Sequence, residues 1–285
     1  MNKKLIRFDW AIKRLLINKA NFEILEGFLS ELIADNIKIK QVLESESNQK
    51  HQRDKFNRVD LLVENESNEL ILVEIQNENQ IDYFQRMLYG VSKLVSEHIN
   101  KGTAYKDVRK VISVNIVYFD IGQGKDYIYH GFQNFIGVNL SDRLELSEAK
   151  KDFFGDKKLF KLFPEYYIIK VNNFDEVAKN SLDEWIYFLK NEEIKPEFNA
   201  KGLSLAKNEL DILKLSPDER KEYENYLEDL SYQSSMYFST FQSGERENAF
   251  KIAKKALDMG LTDEQILILT ELNQKQLDWI KQNKL

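Results

Sequence analysis

The sequence contains no cysteine, and it has only three histidines and three prolines. A chain without cysteine forms no disulfide, uses no thiol in catalysis and builds no iron–sulfur cluster or cysteine-based zinc site. The histidines, at positions 51, 98 and 130, are too widely spaced for an HExxH zinc motif. GxGxxG, Walker A and GxSxG motifs are also missing, which excludes the usual nucleotide-binding and serine-hydrolase classes.

The sequence also has no long apolar run and no excess of basic over acidic residues. The longest apolar run, residues 185–189, is far shorter than the roughly 18–20 residues of a membrane helix. No signal-peptide core stands at the N-terminus, so we expect a cytoplasmic protein without a membrane partner. The formal net charge is −6, so contact with nucleic acid requires local basic patches. Three such patches occur, in residues 1–19, 50–58 and 150–161.

The spacing of apolar residues predicts helices at the beginning of the chain. Residues 5–17 and 21–34 have helical periodicity, and Asp9 and Asn21 are the expected N-caps. The polar stretch Glu44 to Asp54 is predicted to be a loop.

The middle of the chain predicts a mixed α/β sheet. Two short apolar runs, 59–64 and 70–76, are joined by a polar loop of about five residues, which is typical of a hairpin covered on both faces. Residues 80–100 return to helical periodicity, and Gly102 is expected to end this helix. A strand at 111–119 then completes a parallel β-α-β unit. The apolar residues that fall on one stripe of this helix are Ile81, Phe84, Leu88, Val91 and Val95.

The remaining elements predict two domains. Strands near 127–132 and 166–171 and a helix at 182–190 complete the first domain, residues 1–190. The polar stretch 192–202 is the expected linker to an all-helical region, 191–285. Near its end, a capping box at Thr262–Gln265 begins a helix-turn-helix-like pair. The second helix of this pair has few cations, so docking or homo-oligomer formation is a better expectation for it than reading DNA.

Two carboxylates stand within the apolar hairpin. A hairpin centred on Ser67 places Asp60 directly across from Glu74, with Cβ atoms roughly 5 Å apart. At that distance two negative charges repel by about 3 kcal/mol at an effective dielectric constant of 20. A divalent cation would turn the repulsion into ligation, and oxygen ligands without His or Cys select Mg²⁺ or Mn²⁺. Gln76 emerges on the same face as Glu74. The alternative is that the two acids only mark strand ends at the solvent.

These residues resemble the PD-(D/E)XK phosphodiesterase superfamily, which has the restriction-endonuclease-like fold. The pattern Asp-x13-Glu-x-Gln on a hairpin, followed by a helix, carries the resemblance. More narrowly, the chain is similar to the recombination-promoting nuclease family, also described as transposases. The segments that carry this similarity are Phe8–Lys13, Arg58–Asp60, Val73–Gln76, Phe84–Tyr89 and Ala253–Thr262. The implied fold is a mixed central sheet flanked by helices, with a C-terminal all-helical extension.

The resemblance implies roles for individual residues. Asp60 and Glu74 would ligate the metal, and Gln76 would take the position where the superfamily usually has lysine. A glutamine can only orient water or phosphate through hydrogen bonds, so the metal would supply most of the activation. On this reasoning, Gln76→Lys is expected to raise or preserve activity. Arg58, Gln85, Arg86 and Lys13 are the expected nucleic-acid contacts, although a solvated helix face would also account for Gln85 and Arg86.

The sequence therefore supports two hypotheses about function. The first is a Mg²⁺-dependent DNA endonuclease, with a link to recombination or mobile elements that rests on the family alone. The second is a catalytically weak or silent DNA-binding or interaction module that retains the nuclease fold. The missing lysine and the acidic net charge favour the second hypothesis.

Overall fold

The structure is a computed structural model that describes residues 5–11, 22–43, 58–77, 79–99, 104–154, 158–211 and 214–282. Residues 58–60 are described by their backbone alone. Lys13, Asn21, Gly102 and the predicted loop 44–54 lie outside the described residues. The chain divides into two compact units between Tyr223 and Glu224.

A six-stranded mixed sheet forms the centre of the first unit. Its strand order is β1-β2-β3-β4-β6-β5. The first three strands are antiparallel, β3, β4 and β6 run parallel, and β5 is antiparallel to β6. The mixed sheet and the parallel β3–β4 crossover confirm the predicted fold class. The strands are β1 (Ile39–Leu43), β2 (Arg58–Asn65), β3 (Leu70–Gln76), β4 (Val111–Val117), β5 (Ile128–Gly131) and β6 (Glu165–Lys170).

The helices of the described chain include the predicted ones with shifted ends, together with a short helix, Glu148–Phe154, that was not predicted. Residues 8–11 are helical. The described loops contain 3₁₀ turns at Tyr105–Asp107, Leu159–Leu162 and Val171–Asn173. The helices are α1 (Glu23–Ile33), α2 (Tyr83–Glu97), α3 (Glu148–Phe154), α4 (Ser181–Asn191), α5 (Leu203–Glu209), α6 (Pro217–Asp258), α7 (Asp263–Thr270) and α8 (Gln274–Gln282).

Strands β3 and β4 are buried along their whole length. Every residue of both strands is buried, because helices and loops cover both faces of the sheet at its centre. Continuous apolar runs are typical of such strands. Strand β1 was not predicted; within it only Ile39 is fully buried, and the following residues are exposed or half-buried.

The predicted stripe of helix α2 was right for Val91, which is buried, and wrong for Ile81, Phe84 and Leu88, which are exposed. The side chains that face the sheet are Tyr83, Met87, Val91 and Leu94. The predicted members Phe84 and Leu88 are instead 53% and 60% exposed. The helix is rotated relative to the prediction, which brings Arg86 and Gly90 to the edge of its sheet-facing side.

Helices α1 and α4 pack together with residues 8–11 through an aromatic cluster. Phe8 contacts Phe28, Trp185 and Phe188 edge-on or nearly so, with ring centroids 5.4–6.0 Å apart. All four rings are buried. These contacts join elements that are far apart in the sequence into one buried cluster of the first unit.

The stretch 192–202, predicted to be a linker, packs within the first unit. Ile194 and Ala200 are buried. The backbone amides of Asn199 and Ala200 donate to Glu184 Oε2 at 2.8 and 2.6 Å. Helix α5 follows this stretch in the same unit. The compact units therefore divide beyond the predicted boundary at 190/191.

The second unit is helical, as predicted. Its core includes Ala253, Ala256, Ile266, Leu277 and Ile280. Gly260, with φ 78°, follows the end of α6, and the predicted capping box between Thr262 and Gln265 begins α7. None of the helices in the described part of the chain has the length and apolarity needed to cross a membrane.

The Glu64 carboxylate of β2 contacts two side chains of the edge strand β1, and the stability that these contacts provide should depend on pH. Its carboxylate accepts hydrogen bonds from Lys40 Nζ (2.9 Å) and Gln41 Nε2 (2.8 Å) and lies 3.1 Å from Arg109 Nη2. Lys40 and Gln41, with Arg109 nearby, lower the pKa of Glu64 from 4.5 to about 2. Because the folded pKa is the lower one, this stabilisation is present above pH 4.5 and is lost as the pH falls towards 2.

We therefore expect Glu64→Gln to lower the free energy of unfolding at pH 7 by about 1.5–3 kcal/mol, the usual range for hydrogen bonds to a charged group. The difference from the wild type should shrink between pH 4.5 and pH 2. Thermal unfolding of both proteins across this range measures it. Glu66→Gln, in the exposed turn of the same hairpin, is the control and should change little. A difference that stays constant with pH would contradict the assignment.

Candidate functional site

The β2–β3 hairpin has the register that the sequence predicted. Asp60 pairs with Glu74 across the two strands, and Arg58 pairs with Gln76. On the other side of β3, Asn115 of β4 is the neighbour of Glu74. The ladder therefore places the backbone of Asp60 next to that of Glu74, in the middle of a hydrogen-bonded sheet.

Helix α2 covers the Glu74 side chain. A Cβ atom built on Gly90 would lie 3.7 Å from Glu74 Oε1, so the helix approaches this carboxylate closely where it has no side chain. Glu74 is 6% exposed and Gln76 is 1% exposed. Two residues apart on one strand, they share a face. The site is thus formed between the end of β3 and the first turns of α2.

Arg86 of α2 contacts both motif residues of β3. Its Nη1 donates to Gln76 Oε1 at 3.3 Å and to Gln80 Oε1 at 3.0 Å. Its Nη2 lies 3.7 Å from Glu74 Oε2. The guanidinium carbon is 5.8 Å from the centroid of the Tyr83 ring, within the range of a cation–π contact. Arg86 was predicted as a nucleic-acid contact, but its proximity to Glu74 and Gln76 was not foreseen.

Asp9 is part of a buried ion pair next to this site. It is 1% exposed and lies 3.2 Å from Arg7 Nη2. Asn77, directly after Gln76, donates to Asp9 Oδ2 at 3.4 Å and accepts from Arg7 Nη2 at 3.1 Å. Burial, with Asp9 nearby, raises the pKa of Tyr118, whose ring Arg7 also faces. The predicted N-cap role was wrong, because Asp9 lies within helical residues 8–11.

For the other predicted nucleic-acid contacts the structure gives no side-chain contact with Glu74 or Gln76 among the described residues. Gln85 is exposed on α2, one residue before Arg86. Only the backbone of Arg58 is described, and it pairs with the backbone of Gln76. Among the side chains that the structure describes, no group of three or more His, Cys, Asp or Glu could hold a metal ion. The side chain of Asp60 is not among them.

The third basic patch lies away from Glu74. Lys151 and Lys158 line a concavity of about 370 Å³ together with Arg143 and apolar side chains of the segment between β5 and β6. This segment leaves β5 at Gly131, which pairs with Tyr166 near the start of β6. Because β6 is parallel to β4 and β4 to β3, the patch lies at the end of the sheet where β3 begins. Glu74 and Gln76 lie towards the other end.

The alternative apolar series of helix α2 is the signal that could have shown that Arg86 lies next to Glu74 and Gln76. Tyr83, Met87 and Gly90 fall on one side of the helix, and Arg86 lies at the edge of that side. The contact between Arg7 and Asn77 had no comparable signal, because the two residues are 70 positions apart in the sequence.

A mixed sheet with a parallel centre, flanking helices and an Asp–Glu pair on an internal hairpin defines the class of PD-(D/E)XK nuclease folds. The sequence model of the family described as "PD-(D/E)XK nuclease family transposase" matches residues 6–237, and the chain belongs to this family. No curated protein and no solved structure matches the chain significantly.

Proposed function

We propose that this protein is a divalent-metal-dependent endonuclease that hydrolyses phosphodiester bonds of DNA. The observation that carries the proposal is the pairing of Asp60 with Glu74 on an otherwise apolar hairpin in a chain of the PD-(D/E)XK nuclease family. A role in recombination or mobile-element biology would follow from the family description. Homo-oligomer formation through the helical region after residue 223 is part of the same proposal.

The residues at the site fit a hard divalent cation. Glu74 is a buried carboxylate, Asp60 is its cross-strand neighbour, and the nearby polar groups Gln76 and Asn77 are amides. Oxygen donors of this kind suit Mg²⁺ or Mn²⁺. Asp60 and Glu74 would hold the ion. When bound, the ion would polarise the phosphate and lower the pKa of a water molecule.

The chain's own residues would position the substrate and balance its charge. Gln76 would orient the attacking water or a phosphate oxygen by hydrogen bonding, because a neutral amide cannot neutralise charge. Arg58, Gln85, Arg86 and Lys13 would contact the DNA backbone, since cationic and polar side chains position nucleic acids through their phosphates. Glu74 stays in place because β3 is bonded to strands on both sides.

A second candidate function is a DNA-binding module that keeps this fold with little or no catalysis. Gln76 in place of the superfamily lysine and the net charge of −6 favour it. Such a module would retain DNA through its basic patches in a salt-sensitive manner, since neutralising phosphates releases counterions.

Incubation of the purified protein with supercoiled plasmid separates the two candidates. We expect nicking with Mg²⁺ or Mn²⁺ and none with EDTA. Folding is verified in parallel by circular dichroism and thermal melting. A folded protein that does not nick under either ion would overturn the nuclease proposal. Salt-sensitive DNA retention by that same protein would then support the second function.

A further inference from the structure

We propose that Arg86 supplies the positive charge that the PD-(D/E)XK motif usually obtains from a lysine in the place of Gln76. This inference rests on the proposed nuclease function. It assigns to one residue of α2 the stabilisation of negative charge that develops on the scissile phosphate.

The need for such a charge follows from the chemistry. Phosphodiester hydrolysis accumulates negative charge on the phosphoryl oxygens in the transition state, and a positioned cation or donor stabilises that charge. Gln76 can orient a group, but it has no charge to contribute. Among the side chains that the structure describes, Arg86 is the cation that meets the motif residues directly, since its guanidinium contacts Gln76 and approaches Glu74 within 3.7 Å.

The surroundings of Arg86 hold it in place before any substrate binds. Two amide oxygens, from Gln76 and Gln80, accept from its Nη1, and the Tyr83 ring lies beneath the guanidinium. A group fixed in this way costs little reorganisation when charge develops. Its side chain is 18% exposed, so a phosphate at the surface of the site can reach the remaining edge of the guanidinium.

Arginine suits this task for two further reasons. In general, an arginine side chain carries its positive charge at any working pH. Its planar fork matches two phosphate oxygens, whereas lysine offers a point charge. An arginine from the neighbouring helix can therefore take over from a lysine on the strand.

The arrangement reverses the expected effect of Gln76→Lys. In the wild-type background, the new ammonium would replace an amide oxygen that accepts from Arg86 at 3.3 Å. Two cations would then repel each other in a half-buried site. We therefore expect Gln76→Lys alone to reduce activity. When Arg86 is also replaced by Met, the same change should restore activity, because one cation again faces Glu74.

A four-protein cycle tests this proposal: the wild type, Arg86→Met, Gln76→Lys and the double variant. Single-turnover nicking rates are measured with saturating Mg²⁺, and melting temperatures are measured in EDTA. We expect Arg86→Met to be slower than the wild type by about 100-fold, the lower range for losing one positioned donor. Gln76→Lys should be slower by about 10-fold, and the double variant should be at least about 10-fold faster than Arg86→Met. A tenfold change in rate corresponds to about 1.4 kcal/mol of activation free energy, and this is the effect expected for each of the last two comparisons.

Two control variants keep the test decisive. Arg86→Lys retains the charge and should lose less activity than Arg86→Met, even if the latter folds poorly. Lys93→Met removes a cation two turns further along α2, where it pairs with Glu97, and should leave the rate unchanged.

The outcomes separate this inference from the proposed function. A folded wild type that does not nick overturns the nuclease proposal and this inference with it. An active wild type with an equally active Arg86→Met overturns this inference alone. The same holds if the double variant is no faster than Arg86→Met, because a purely structural arginine would not be replaced by a cation on the strand.

Discussion

Replacing Glu74 with Gln is expected to lower the rate of metal-dependent cleavage by at least about 100-fold and to leave the fold intact. Loss of groups outside the ligand shell already costs 10- to 100-fold in metal affinity or activity, so loss of a ligand should cost at least as much. The amide has nearly the shape of the carboxylate, so the packing against Gly90 is kept. Nicking rates with Mg²⁺ and melting temperatures in EDTA measure the two effects.

Asp60→Asn should have the same effect, since the ladder pairs the two residues. In either variant one of two facing negative charges is removed, which offsets part of any lost contact in the metal-free protein. Glu66→Gln, in the turn of the same hairpin, is the matched control and should cleave like the wild type. Full activity in Glu74→Gln would contradict the metal assignment and the proposed function.

Replacing Gly27 with Ala is expected to destabilise the protein, although alanine is the better helix former. A Cβ on Gly27 would lie 2.8 Å from the carbonyl carbon of Lys201 and 2.9 Å from the Cα of Gly202. These are backbone atoms, so relief requires that the stretch after α4 moves away from α1. We expect a net loss of about 2 kcal/mol, because an overpacking cost near the upper end of the usual range of about 1–3 kcal/mol outweighs a propensity gain of about 1 kcal/mol. Thermal or urea unfolding measures it.

Gly244→Ala is the matched control for this prediction. Gly244 also lies within a helix, α6, but a Cβ there meets no atom within 4 Å. Its replacement should therefore stabilise the second unit by up to about 1 kcal/mol. If Gly27→Ala stabilised the protein in the same way, residues 201 and 202 would not pack on α1 as described.

The hairpin could be predicted from the sequence because its information is local. Two apolar runs flank a short polar loop, so few registers are compatible with the pattern. The parallel pairing of β3 with β4 followed from the helix between them. Strand β1 could not be predicted in the same way. It is a short edge strand in which Lys40 and Gln41 are exposed, and its polar residues resemble those of a loop.

The rotation of α2 shows what the pattern leaves open. Apolar residues of this helix form two overlapping series, one through Phe84 and Leu88 and one through Tyr83 and Met87. Both series have helical spacing, and only packing on the sheet decides between them. The series that packs on the sheet determines where the Arg86 side chain lies. Asp9 is similar, since its partner Asn77 is nearly seventy positions away in sequence.

The central place of β3 has a consequence for heat inactivation. Its backbone is bonded to β2 on one side and to β4 on the other, and all its side chains are buried. Segments of this kind open only when the whole unit unfolds, whereas edges and loops open earlier. The Asp60–Glu74 pair thus belongs to the part of the molecule that is lost last. As the temperature rises, the carboxylate pair should persist until the sheet itself unfolds, and early losses should affect the surfaces that we propose to bind DNA.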